Sequence, residues 1–253
     1  MELNERKQKI LDLLEKNGSV SVTELSKYFD ISEVTVRTYL TDLESKGLLS
    51  RVHGGAISSY KPYYSMNLNQ RLNTNQAEKK KIAEAVAQMV DDKDTIMLNS
   101  GTTTLLVFRS LPTNYTLNIV TNSIAIALEA ADIPNFNVCL VGGYINSKYQ
   151  FSYGDDAVEQ LKKYHADKLI LSVDGIDTQS GFTTYYDREA AIDRTMIAQS
   201  KVCIVAADAS KFGRTAFAKI STLDVADTIV TNDSLNEEID NALTELGIHI
   251  SKA

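Results

Sequence analysis

Apolar residues recur along this chain with two different periods. In the first sixty residues the spacing is helical. Ile10, Leu13 and Leu14, at i, i+3 and i+4, predict an amphipathic helix over 4–16 that ends at Asn17-Gly18. Ser19-Val20-Ser21 is short and β-prone. Ser21-Val22-Thr23-Glu24 has the spacing of a capping box, and the helix it opens is expected to bury Leu25, Tyr28 and Phe29. After an Asp30-Ile31 turn, Val36, Leu40 and Leu43 form one apolar stripe at i, i+4 and i+7, with Ser32 placed to cap the helix. Glu33, Thr35, Arg37, Thr38 and Thr41 occupy its remaining surface, and Gly47 stands where a left-handed C-cap belongs. Leu48 to Val52 and the His53-Gly54-Gly55 turn predict a β-hairpin. A helix with a polar outer face followed at once by a β-wing is the layout of a winged helix-turn-helix, whose second helix enters the DNA major groove.

Past residue 60 the pattern changes. Residues 57–76 are polar and aromatic with little periodicity, and Pro62 disfavours helix at Lys61, so 59–76 reads as a linker between a domain over 1–58 and one over 77–253. The tyrosines of this stretch, Tyr60, Tyr63 and Tyr64, read as packing residues. Glu78 to Val90 is amphipathic. Then short, continuously apolar runs at 95–99, 116–122, 137–143, 167–175, 201–208 and 227–232 alternate with helical stretches at 103–111, 123–131, 155–164, 188–199 and 237–246. Strands without polar alternation are covered on both faces, so the expected fold is α/β with a mostly parallel sheet.

Composition narrows the picture. No apolar run reaches the roughly 20 residues that span a bilayer, and the charged start MELNERKQKI lacks the apolar core of a secretory signal, so a cytoplasmic protein with no membrane partner is expected. Cys139 and Cys203, each inside an apolar run, read as buried free thiols, and the scattered cysteines and histidines offer no metal-ligand spacing. No metal and no cofactor are expected. Net charge is −7, and residues 1–60 hold eight Lys/Arg against nine Asp/Glu. Non-specific DNA affinity comes from phosphate neutralisation, so DNA binding by this chain requires basic groups gathered on one face and a homo-oligomer, dimer or tetramer.

Candidate contacts to double-stranded operator DNA follow from the winged-helix layout. Arg37 can reach guanine O6/N7 or a phosphate. Thr35 and Thr38 can meet bases, thymine methyls or phosphates, and Arg51 a phosphate or the minor groove. Ser32 is a cap as well as a candidate contact, and His53 a turn residue or a contact. In the second domain, small, hydroxylic and carboxylate residues gather where the strands end: Asn99-Ser100-Gly101-Thr102-Thr103-Thr104, Thr121-Asn122-Ser123, Gly142-Gly143, Asp174-Gly175-Ile176-Asp177, and Asp208-Ala209-Ser210-Lys211. That edge of an open α/β sheet holds the ligand crevice, and a Ser-Gly-Thr-Thr-Thr turn running into a helix offers N–H groups, hydroxyls and a favourable dipole to an anion. Neither a P-loop nor a GxGxxG fingerprint is present, which favours a small phosphorylated molecule over a nucleotide. Each piece has a plainer reading: Thr102 to Thr104 as helix caps, the two aspartates as turn formers, Lys211 as a surface lysine.

The segments GSVSVTELSKYFDIS, TVR and LTDLESKGLLSRVHGGA resemble the N-terminal domain of the DeoR family of bacterial transcriptional regulators. SGTTT, VTNS, GG, DGID, GFTT, the Glu189-Ala190 pair and DASKFG resemble that family's sensor domain, which is similar to the ribose-5-phosphate isomerase fold. The resemblance implies a repressor of sugar-metabolism genes, with a phosphorylated sugar as effector and its phosphate in the SGTTT loop. Two departures stand out. The family's R-R-D-L reads Arg37-Thr38-Tyr39-Leu40 here, which implies altered DNA contacts, and its Asp before the SGTTT serine is Asn99. Asp174-Gly175-Ile176-Asp177 also resembles the isomerase's Asp-Gly-Ala-Asp, so an isomerase-like enzyme with Glu189 as base is the alternative. Against it, the isomerase's Lys-Gly-Gly-Gly is replaced by Gly181-Phe182-Thr183-Thr184, and no lysine lies between Lys168 and Lys201.

Overall fold

The computed structural model describes residues 3–17, 19–45, 49–52, 54–58 and 66–253. The expectations placed on Gly18, Gly47, Leu48, His53, Tyr60, Pro62, Tyr63 and Tyr64 lie outside the described residues. The chain divides into two compact units, Met1–Asn67 and Leu68–Ala253.

The first unit comprises α1 (Leu3–Asn17), β1 (Ser19–Ser21), α2 (Val22–Phe29), α3 (Glu33–Ser45), β2 (Leu49–Val52) and β3 (Gly55–Ser58). Its three strands form an antiparallel sheet in the order β1-β3-β2, so the strand before the second helix does pair with the wing. Gly55 passes so close to β1 that a Cβ there would lie 2.1 Å from the Val20 carbonyl oxygen. Ser21 Oγ accepts from the Glu24 N–H while the Glu24 carboxylate accepts from the Ser21 N–H, completing the capping box. Asp30 closes α2 in the left-handed region. Ile10, Leu14, Leu25, Phe29, Val36, Leu40 and Leu43 share one core. Tyr28 is a correction: it is 57% exposed, because α2 turns Val22, Leu25 and Phe29 inward at i, i+3 and i+7 and residue 28 falls outside that stripe. Tyr39, one of the departures from the family's R-R-D-L, is buried in the core with the Lys7 ammonium 5.8 Å from its ring.

The second unit opens with α4 (Leu68–Asn73) and α5 (Gln76–Ala87), in the stretch expected to be partly linker. A seven-stranded sheet follows, every neighbouring pair parallel: β4 (Thr95–Leu98), β5 (Leu117–Thr121), β6 (Phe136–Leu140), β9 (Ala166–Leu171), β12 (Ser200–Ala206), β14 (Thr228–Thr231) and β15 (Ile250–Lys252), ordered β15-β14-β12-β9-β4-β5-β6. The connecting helices are α6 (Thr102–Ser110), α7 (Ile124–Ala130), α8 (Asp155–Leu161), α9 (Asp187–Ala198) and α10 (Glu237–Glu245). A hairpin, β7 (Tyr144–Asn146) with β8 (Phe151–Tyr153), and a small antiparallel sheet of β10 (Gly175–Asp177), β11 (Gly181–Thr184) and β13 (Ala218–Ser221) complete the unit.

Both faces of the large sheet are covered, which explains the uninterrupted apolar runs. Met97, Leu169, Leu171, Cys203 and Val205 pack into one core; Ile96, Leu98, Ile170, Ile204 and Ala206 pack into the other. Successive strand residues point to opposite faces, so both sets must be apolar. Cys203 is buried as expected. Cys139 is only half-buried, since β6 is an edge strand, and its thiol donates to Tyr164 Oη.

Candidate functional site

On α3 the exposed polar residues are tied to their own helix. Ser32 Oγ accepts from the Thr35 N–H at 3.1 Å and lies 2.9 Å from the Thr35 hydroxyl. Arg37 pairs with Glu33 at 2.7 Å with both side chains about half exposed, and Thr38 Oγ1 donates to the Val34 carbonyl. From the wing, Arg51 reaches across to donate to Thr41 Oγ1 at 2.8 Å, while its N–H donates to Glu44. Ser32, Thr35, Arg37, Thr38 and Arg51 therefore border one helix-and-wing surface.

The second cluster sits at the carboxyl edge of the large sheet. From β4 the chain runs outward to β5 and β6 on one side, then returns to β9 on the other, so the strand order reverses between β4 and β9. This is the topological switch point where such sheets open a crevice. Asn99 spans it: its Nδ2 donates to the Ser172 carbonyl and to Asp193, and its Oδ1 accepts from the Ser172 N–H, each at 2.9 Å. An aspartate at position 99 could neither donate to Ser172 nor sit comfortably against Asp193. Gly101, at φ +153°, crosses so closely over β9's end that a Cβ would lie 2.0 Å from Ser172 Oγ. It delivers the chain into α6, whose first residues Thr102, Thr103 and Thr104 are all buried.

Around that loop lies an enclosed network of charge. Ser100 Oγ donates to one Glu189 oxygen and Thr184 Oγ1 to the other, at 2.5 and 2.8 Å. Asp174 accepts from the Arg71 guanidinium on one oxygen and from the Tyr185 N–H on the other. Lys211, buried to 4% exposure, is no surface lysine; its charge acts on both Asp174 and Asp208. Burial works to raise the Asp174 carboxyl, yet Arg71, Lys211 and Arg214 hold it below the ordinary carboxylate range. Asp208 is likewise held low against burial by Lys211 and Lys79. Glu189 goes the other way: burial, reinforced by the nearby Asp174 charge, pushes it up to about 7. Asp193 is raised by burial and by Glu189.

Other expected residues have structural work to do. Thr121 Oγ1 donates to the Leu98 carbonyl and accepts from the Ser123 N–H, Thr104 Oγ1 donates back to the Asn99 carbonyl, and Asn122 Nδ2 donates to Ser152. At Gly143, φ +140°, a Cβ would meet the Tyr153 carbonyl oxygen at 2.5 Å. The Asp177 carboxylate accepts from the Gln179 and Ser180 N–H groups, closing the turn between β10 and β11. Asp208, at the end of its strand run, belongs to the network as expected, and Arg71, Lys79 and Asp193 belong to it without having been expected there. Lys79 carried a signal: it lies on the helical spacing of Ile82, Ala83 and Val86, the buried stripe of α5, while Lys80 and Lys81 are exposed. Buried acceptors Asp208 Oδ2, Asp193 Oδ2 and Asn122 Oδ1 lack hydrogen-bond partners among the described residues.

The domain model of a DeoR-like helix-turn-helix matches residues 6–61, and that of the DeoR C-terminal sensor domain matches 74–233. The chain belongs to the DeoR family. Among its relatives are the HTH-type transcriptional regulator YulB of Bacillus subtilis, 33% identical with 98% of this chain and 95% of that protein covered, and the glycerol-3-phosphate regulon repressor of Escherichia coli K12, 29% identical with 99% of each covered. Ribose 5-phosphate isomerase A from Methanocaldococcus jannaschii is a structural neighbour, with a TM-score of 0.41 and 17% identity over 55% of each chain. This DeoR-family member is thus a DNA-binding transcriptional regulator and not an enzyme, and the isomerase alternative falls. Among the described residues of the DeoR chain, no helix is long and apolar enough to cross a membrane.

Proposed function

We propose that this protein is a cytoplasmic repressor of sugar-metabolism genes, active as a homo-oligomer and controlled by a phosphorylated sugar in its sensor domain. The observation that carries the reading is the buried network at the switch point between β4 and β9. There the loop leading into α6 bonds Glu189 through Ser100, and four basic side chains, Arg71, Lys79, Lys211 and Arg214, act on two carboxylates held ionised, Asp174 and Asp208. Such a site suits a dianion, and the acceptors on Asp208, Asp193 and Asn122 suit sugar hydroxyls. In this reading the phosphate meets Ser100 to Thr104 and Lys211, with Asn99, Thr121 and Gly143 shaping the crevice, Asp174 and Glu189 facing the sugar, and Asp177 supporting the adjacent hairpin. Operator DNA meets Arg37, Thr38 and Thr35 in the major groove and Arg51, with His53 and Ser32, along the backbone.

The test separates the two ends of the molecule. Arg37→Ala is expected to weaken operator binding while leaving sugar-phosphate affinity intact, and Thr103→Ala to do the reverse, read by fluorescence anisotropy and calorimetry on the same preparations. If Thr103→Ala retained wild-type affinity, or either change abolished both activities, the assignment would fail.

A further inference from the structure

The residues nearest the DNA-binding unit in sequence are pinned into the sensor site. Within Arg71 to Lys79 three side chains do this. Arg71, on α4, pairs with Asp174, and the two side chains are only 15% and 8% exposed. Asn75 donates to Asp208 at 3.0 Å. Lys79, 1% exposed, donates to the carbonyls of Arg71 and Thr74 at 2.8 and 2.6 Å, locking the end of α4 onto α5. The guanidinium is also aimed from behind: it lies 5.0 Å from the Tyr149 ring, which packs edge-on against Tyr186. A six-residue helix has little stability of its own, so its position is set by these tethers.

Asp174 Oδ2 is 3.4 Å from Thr184 Oγ1, which donates to Glu189, which in turn accepts from Ser100 of the anion loop. Asp174, Thr184 and Glu189 thus link Arg71 to Ser100 of the proposed phosphate loop, and the Arg71 charge acts on Glu189 itself. A dianion entering there competes with Asp174 for the guanidinium, whose planar fork suits phosphate as well as carboxylate. We propose that Arg71 is an effector-contacting residue that passes from Asp174 to the ligand's phosphate, and that the resulting shift of α4 carries the signal along the chain toward the DNA-binding unit. This rests on the sugar-phosphate reading and adds the residue through which occupancy changes operator affinity. Coupling needs such a contact, since a ligand shifts an equilibrium only through differential interaction with its two states.

The test uses the full chain as wild type, Arg71→Gln, Asp174→Asn and the double variant. Calorimetry with inorganic phosphate, ribose 5-phosphate, fructose 6-phosphate and glycerol 3-phosphate gives affinities, operator anisotropy gives release, and thermal unfolding confirms folding. For the probe that wild type binds best, Arg71→Gln is expected to weaken affinity by roughly tenfold or more, the loss of one charge-assisted contact. It is also expected to leave the operator complex intact when the probe saturates. The double variant must stay weak. Wild-type affinity in the double variant would reduce Arg71 to a counter-ion for Asp174, and normal release by saturated Arg71→Gln would remove it from the coupling; either result overturns the proposal. Failure of wild type to bind any probe would overturn the sugar-phosphate reading itself, and this inference with it.

Discussion

Glu189 holds its carboxyl between two hydroxyl donors yet is pushed up to about 7, by burial first and by Asp174 second. A carboxyl whose folded pKa exceeds its unfolded value binds more protons in the native state, so its stabilising contribution is complete below the unfolded pKa and fades as pH rises through the folded one. Wild type should therefore lose stability relative to Glu189→Gln between about pH 5 and about pH 8, measured by thermal unfolding at constant ionic strength. Parallel curves would contradict the assignment. Gly101 makes a sharper case. Any Cβ there strikes Ser172, and the left-handed backbone is itself unfavourable for other residues, so Gly101→Ala should destabilise the sensor unit by more than about 1 kcal/mol and weaken anion binding together. At this scale the sequence was only partly legible. Gly101 and Lys211 could be placed from strand ends, whereas Arg71 and Asp193 could not. Both sit in polar helical stretches where a charged residue usually faces solvent, and only the tertiary fold brings them inside.

At the scale of elements, α3 and the wing behave as their spacing predicts, and the two departures from the family's R-R-D-L separate. Tyr39 points into the core beside Lys7, so it is a packing change, while exposed Thr38 remains on the outer face as the departure able to alter DNA contacts. Replacing Thr38 with Arg should shift operator preference; unchanged preference in a competition assay would refute that. Glu33 holds Arg37 on the same face, so Glu33→Gln should tighten operator binding and steepen its salt dependence, because a released arginine can displace counter-ions from a phosphate. Ser21 is the cap that starts α2, and Ser21→Ala should cost about 1 kcal/mol in unfolding experiments on the full chain. The strands of the sheet were readable because both faces are buried, which leaves unbroken apolar runs. The α4 segment was not, since a short polar helix fixed by tethers from other elements has no periodicity of its own.

At the scale of the molecule, a winged helix and a sensor sheet lie on one chain, and control by an effector requires their binding equilibria to be linked. Coupling between sites is typically on the order of 1–3 kcal/mol, a change of roughly 5- to 150-fold in affinity. The net charge of −7 makes sequence-blind DNA binding weak, so operator binding should stand clear of random DNA at moderate salt. The decisive measurement is fluorescence anisotropy of the full protein on DNA from upstream of its own gene, at fixed salt, against random DNA, while a panel of sugar phosphates is titrated in. Operator-selective binding released by one of them within that range is the predicted result. Binding with no preference over random DNA, or a selective complex that no sugar phosphate disturbs, would contradict the account.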